Sequence, residues 1–203
     1  MQKLLSELNF VLGDDSWIHD DSHIFGPFHY RHIVQCIQFL LSHLPFQAHH
    51  DIEPVSLADS EGRRIYSEMN TGNSWWDTQY QLPGGAKVVT VICASDKTHW
   101  TNLSGNRHAW PRYIIIVSIR KYIRRRPKEF ARILIGLIPC PPQGATNIDE
   151  AWHSEVGTVL SQFTHLDIAS PGLKWDFAVA LQRQSYPLLA AWVGYHPEQL
   201  MVA

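Results

Sequence analysis

Cysteine is scarce in this chain: Cys36, Cys93 and Cys140 are the only three among 203 residues. None stands in a CxxC spacing and no short His–His pairing completes a tetrahedral zinc set, so the sequence offers no zinc ribbon and no disulfide framework. A reducing, intracellular setting is expected. Charge is sparse as well, at 18% of residues, and the 17 basic and 19 acidic side chains leave a net charge of −2. Such a balance gives no global pull toward nucleic acid, membrane or acidic substrate, so any polyanion contact must be a local patch. No apolar run reaches the length of a bilayer span, and the start MQKLLSELNFVLGDDSW lacks the apolar core and small-residue cleavage site of a secretory signal. A soluble, non-exported protein with no membrane partner and no small-molecule cofactor is expected. Asn102-Leu103-Ser104, formally a glycosylation acceptor, then reads as an ordinary polar loop.

What is present is a hydrophobic content of 45%, twelve histidines and eight tryptophans, enough for one sizeable core and against intrinsic disorder. Residues 1–27 read as a short helix followed by a loop carrying DDSWIHDDSH. From His29 to Leu44, Ile33, Ile37, Leu40, Leu41 and Leu44 fall at spacings of three and four, which predicts an amphipathic helix ended by Pro45. DSEGRR and EMNTGNS bracket Ile65 and Tyr66, suggesting a short extended segment between turns. After Pro83-Gly84-Gly85 the pattern changes. KVVTVICAS (87–95) is a β-branched run of strand length, buried on both faces, and RYIIIVSIRKYI (112–123) and RILIGLIP (132–139) follow closely enough to predict a three-strand meander. Ile148, Trp152, Val156, Val159, Leu160 and Phe163 then predict a helix. LKWDFAV predicts a strand, LQRQSYPLLAAWVGY an apolar helix starting or kinking at Pro187, and EQLMVA the start of another strand.

The resulting order, β-β-β-α-β-α-β, is that of an α/β, ribonuclease H-like fold with a mixed sheet, here incomplete at its C-terminus. The chain divides into an N-terminal helical and irregular segment, 1–80, and a partial core, 81–203. In that fold, carboxylates for divalent ions sit on the first strand, at the end of the fourth and on a later helix.

Several residue groups could carry chemistry. Asp96 follows the first buried strand. It is either a metal ligand or a cap of the turn Ser95-Asp96-Lys97-Thr98. Arg120, Lys121, Arg124, Arg125, Arg126 and Lys128, extended by Arg112 and Arg132, gather eight of the 17 basic residues around Tyr122. The run either tracks a phosphate backbone or is a solvated hairpin turn that guards a sheet edge. His49-His50-Asp51 and His19-Asp20-Asp21-Ser22-His23 hold ligand-type residues but no helical register, which favours solvated loops over a metal site. Trp75, Trp76 and Trp100 are expected to fill the core rather than stack on bases. Cys93, inside a β-branched strand, is expected to be an inert buried thiol.

WWDTQ with the turn LPGGA, SDKT followed by SG and AWP, RRRP, and YPLLAAW with HPEQ occur in an order that closely resembles transposases of the Plavaka group, fungal DNA transposons allied to the CACTA superfamily. The resemblance covers roughly residues 30–203 and is weakest across 140–175. It implies a nuclear enzyme that cleaves and transfers the DNA ends of its own transposon, using three carboxylates and two Mg2+ or Mn2+ ions. Asp96 matches the first carboxylate. The second is expected at Val179, counting back from Tyr186-Pro187, with Asp176 three residues earlier as the only nearby substitute. A slip of three residues turns a strand side chain to the other face. The third would lie beyond Ala203. The resemblance therefore implies a truncated, inactive transposase derivative, able to associate with full-length transposase, with a non-catalytic DNA-binding or purely structural remnant as the alternative.

Overall fold

The computed structural model describes residues 17–21, 25–95, 98–99, 108–139, 144–163, 172–177 and 181–194. Among these, eight strands build one mixed sheet and two more form a small separate hairpin. The strands are β1 (Trp17–Asp20), β2 (Phe28–Arg31), β3 (Leu57–Ala58), β4 (Arg64–Ile65), β5 (Lys87–Ser95), β6 (Thr98–His99), β7 (His108–Ile116), β8 (Ile133–Pro139), β9 (Leu173–Phe177) and β10 (Leu181–Val193). Helices α1 (Ile33–Ser42), α2 (Asn73–Gln81), the single turn α3 (Lys121–Arg124) and α4 (Ile148–Leu160) lie between them. The order across the large sheet is β1-β2-β8-β7-β5-β10-β9, with β6 paired to β7. The expected meander is present as β5, β7 and β8, antiparallel neighbours in chain order.

β5 is buried on both faces because its side chains alternate between two cores. Val89, Val91 and Cys93 join the larger core with Ile33, Ile37, Leu40 and Leu41 of α1 and Trp152 and Val159 of α4. Val88 points the other way, to Trp75 and Leu82 at and beside α2. A side-chain period of two against apolar layers on both sides requires an uninterrupted apolar run. Trp75 fills the core as expected, whereas Trp100 lies outside the described residues.

Three local expectations are corrected. Trp17–Asp20, read as loop, is a strand because it pairs with β2, which in turn pairs with β8. Trp17 is buried there against the guanidinium of Arg31, 4.2 Å from the ring centroid. The strand predicted to run to Ile123 stops at Ile116, and the basic segment after it folds as α3 and a 3-10 turn, Pro127–Glu129.

The third correction is larger: LQRQSYPLLAAWV is not a helix but β10, parallel to β5 from Ser185 beside Lys87 to Val193 beside Ala94. A helix through Pro187 would lose a backbone hydrogen bond and clash with the preceding turn. In the sheet the proline is accommodated because β9 pairs only with Leu181–Ser185, so beyond Ser185 no described strand covers that edge of β10. Cross-strand bonding with β5 overrides the helical tendency of the leucines and alanines.

Candidate functional site

Two places follow from the sequence: the end of β5, where Asp96 begins, and the basic segment after β7. The first is held by an unusual polar cluster on the α4 face of the sheet. Arg112, on β7 beside Ser95, is fully buried. Its guanidinium packs on both Trp152 and Trp192, 4.6 and 4.8 Å from the two centroids, and the two indoles meet edge to face 5.8 Å apart. Trp192 Nε1 donates to Ser95 Oγ at 3.1 Å, tying β10 to the end of β5. Glu155 of α4 is also buried, and burial pushes its carboxyl up to about 8 while Arg112 opposes the rise. Arg112 therefore does not belong to the DNA-facing set into which its sequence position placed it, because β7 carries it inward at a core position. Glu155 went unnoticed in the sequence, yet it had a signal: it lies three residues after Trp152 and four before Val159, on the apolar face of its helix. The thiol of Cys93 is buried and pushed up to about 12, as is that of Cys36, which fits an inert role.

Asp96 and Val179 lie outside the described residues. The backbone of Asp176 is placed by β9, where it pairs with Gln182 near the start of β10. The end of β5 is met by Val193, eleven residues further along the same strand. At about 3.3 Å per residue, roughly 35 Å separates the two points. Divalent-metal phosphoryl transfer needs carboxylates gathered around ions about 4 Å apart. Among the described residues, no three His, Cys, Asp or Glu side chains form a group that could hold a metal ion. Asp176 on β9 therefore stands too far from the end of β5 to share such a centre with a carboxylate there.

The basic segment is built differently. Arg120 is held by Asp51 through both carboxylate oxygens at 3.0–3.1 Å, which raises its pKa. Arg124 pairs with Glu68 at 3.1 Å and donates to the Ile119 carbonyl, while Glu68 also accepts from the Lys121 backbone N–H at 2.9 Å. These two arginines fasten the turn to the segment before α2 and are largely neutralised. Tyr122 Oη and His49 Nδ1 share a hydrogen bond of 2.6 Å, and His50 Nδ1 lies 3.2 Å from Ser118 Oγ. His49, His50 and Asp51 are thus anchoring groups for the turn rather than loosely solvated loop residues. His19 is likewise engaged, with the ring of His29 opposite it across β1 and β2.

Lys121, Arg125, Lys128 and Arg132 are exposed, and none forms an ion pair with a described carboxylate. Arg126 is exposed too, lies 5.6 Å from the Tyr122 centroid and has Glu129 only at 3.7 Å. Of the six basic residues singled out in the sequence, two are structural clamps and four face solvent on one turn; Arg132 joins the latter. The clamps could not be read from the sequence, because Asp51 and Glu68 lie more than fifty residues from their partners.

No described helix is long and apolar enough to cross a membrane. No curated protein and no solved structure matches the chain. A family model does: that of the Plavaka transposase matches residues 15–203, nearly the whole length. The order of the motifs from WWDTQ to HPEQ and this match agree, and the chain belongs to the Plavaka transposase family.

Proposed function

We propose that this chain is a transposase-derived, DNA-associated domain of the nucleus that grips the DNA backbone through the turn 121–132 and does not cleave it. The observation that carries the reading is the set of exposed cations Lys121, Arg125, Lys128 and Arg132 on a turn that Arg120 and Arg124 fasten in place through their pairs with Asp51 and Glu68. Cations left without carboxylates can replace the counterions of a phosphate backbone, and the release of those ions drives binding without regard to sequence. Asp51 and Glu68 spend their charge on the clamps and so hold the turn in shape while the remaining cations face outward.

The fold is read as ribonuclease H-like. Support comes from the adjacent order β8-β7-β5-β10, antiparallel within the meander and parallel between β5 and β10. On this reading β10 is the fourth strand, and its end beside β5 should supply the second carboxylate. The residues there are Trp192, Val193 and Gly194, none acidic. The cluster of Arg112, Trp152, Glu155 and Trp192 stabilises that end of the sheet without offering a metal site. A DNA-bound but uncatalytic copy would associate with transposon ends alongside an active transposase.

The test is affinity for a labelled duplex, measured by fluorescence anisotropy against salt. Four phosphate contacts predict a slope of log K against log salt of roughly −3 to −4, and neutralising Arg125, Lys128 and Arg132 to glutamine should bring it to about −1. A flat salt dependence, or a slope untouched by the triple substitution, would remove the DNA-binding role. Incubation of the duplex with Mg2+ or Mn2+ tests the other half. Cleavage by the parent that Asp96→Ala abolishes would establish a working nuclease instead.

A further inference from the structure

The outermost strand of the sheet carries a pair of side chains that the DNA-contact reading leaves unused. β1 stands at the end of the strand order, and β2 is its sole neighbour among the described strands. His19 of β1 and His29 of β2 are direct cross-strand partners, a placement that brings two side chains together on one face of the sheet. The same nitrogen of each ring faces the other. Nδ1 lies 2.5 Å from Nδ1, with the centroids 4.6 Å apart and the ring planes nearly perpendicular.

With a proton on one Nδ1, the two rings share a hydrogen bond. With the proton of each neutral ring on Nε2 instead, both Nδ1 lone pairs are free to ligate, which is the form in which histidine holds a transition metal. Two zinc–nitrogen bonds of about 2.0–2.1 Å at a tetrahedral angle set their nitrogens roughly 3.3–3.4 Å apart. The pair needs to open by only about 1 Å, a change within the reach of side-chain torsions. His29 is buried and His19 is exposed, so an ion between them has protein on one side and water on the other. Burial and the neighbouring His19 hold the His29 imidazole below its ordinary value, which keeps that ring in the neutral, ligating form. Asp21, two residues beyond His19, acts on the same ring with a negative charge that favours a cation beside it.

We infer that His19 and His29 form a two-histidine site for a late first-row divalent ion of the zinc and copper kind, which staples β1 to β2. Imidazole suits such ions, whereas Mg2+ prefers oxygen ligands. The protein supplies two ligands and water completes the coordination at the exposed side, so the ion exchanges rather than being locked into a closed structural site. In the unfolded chain the two rings are ten residues apart with no fixed geometry. An ion that binds only when β1 lies against β2 therefore stabilises the folded state by mass action.

The experiment titrates the chain, free of any histidine tag, with ZnCl2 and with MgCl2 by calorimetry, and follows thermal unfolding in zinc. Zn2+ should bind and Mg2+ should not. At zinc about a hundredfold above its Kd, Tm should rise by about 5–10 °C. His19→Gln removes an exposed ligand, so without metal the variant should unfold at the temperature of the parent. Its zinc affinity should fall at least about tenfold, since even outer partners of metal ligands cost that much, and the rise in Tm should vanish. His29→Gln should weaken zinc binding to the same extent. Zinc affinity unchanged in both variants places the ion elsewhere among the twelve histidines and overturns the site. Absence of zinc binding, or Mg2+ bound as tightly as Zn2+, overturns it as well. None of these outcomes touches the affinity of the basic turn for DNA, so the two proposals fail separately.

Discussion

Replacing Glu155 with glutamine should change how the stability of this protein depends on pH. In the unfolded chain the carboxyl titrates near 4.5, while in the folded chain burial beside Trp152 raises it to about 8 despite the attraction of Arg112. The folded state thus holds a proton that the unfolded state releases, and stability falls as pH rises through this window. The contribution is fully present below pH 4.5 and is lost as pH rises through about 8. At 1.36 kcal/mol per pH unit the window corresponds to an effect on the order of 5 kcal/mol. For a domain of this size that is a loss in Tm of about 3–5 °C per pH unit. Below pH 8 Glu155 is protonated and contributes little negative charge near Arg112. The faces of Trp152 and Trp192 then stabilise the guanidinium, as desolvated cation–π contacts do. Urea unfolding followed by tryptophan fluorescence between pH 5 and 8 measures the slope. The parent should lose stability between pH 6.5 and 8, above the window in which His50 opposes the fall, and Glu155→Gln, which cannot titrate, should flatten that limb. A parent profile without a falling limb, or a falling limb that persists in Glu155→Gln, would refute the assignment.

Two further outcomes follow from the same reasoning. His50 is half-buried, and desolvation lowers its pKa to about 4, so its stabilising effect is present above pH 6.5 and is lost as pH falls through about 4; His50→Gln should remove this opposing slope, so that stability falls across the whole of the same urea series from pH 5 to 8. Gly172 adopts φ +64° with the Tyr186 ring 2.8 Å from where a Cβ would sit, so Gly172→Ala should cost about 2 kcal/mol or more and loosen the β9–β10 hairpin, measured by hydrogen exchange at Leu173–Phe177.

Much of the architecture could be read from local pattern because local pattern sets it. KVVTVICAS alternates between two apolar layers, and its neighbours in sequence are its neighbours in the meander. The core positions of α1 follow from spacings of three and four, although Phe28–Arg31 ahead of it is a strand. The same method failed at β10, where alanines and leucines carry a helical tendency that pairing with β5 overrides. That error had consequences for the site. With 181–193 taken as a helix, Asp176 on the preceding strand stood near the expected catalytic end. As a strand antiparallel to β10, β9 instead carries the Asp176 backbone to the far end of the sheet.

The basic turn was visible as a cluster of charge, since composition alone reveals eight cations in a short stretch. Which of them are available was not. Asp51 and Glu68 reach Arg120 and Arg124 from distant segments, and the inward face of β7 claims Arg112. Family membership, the meander and the location of positive charge were determined by the sequence itself, because motifs, periodicity and charge are properties of neighbouring residues. The division of cations into clamps, core and free surface, and the separation of Asp176 from the end of β5, were decided only by tertiary structure. Ion pairing and burial act through space, and no spacing along the chain encodes the distance between residues that the sheet brings together or holds apart.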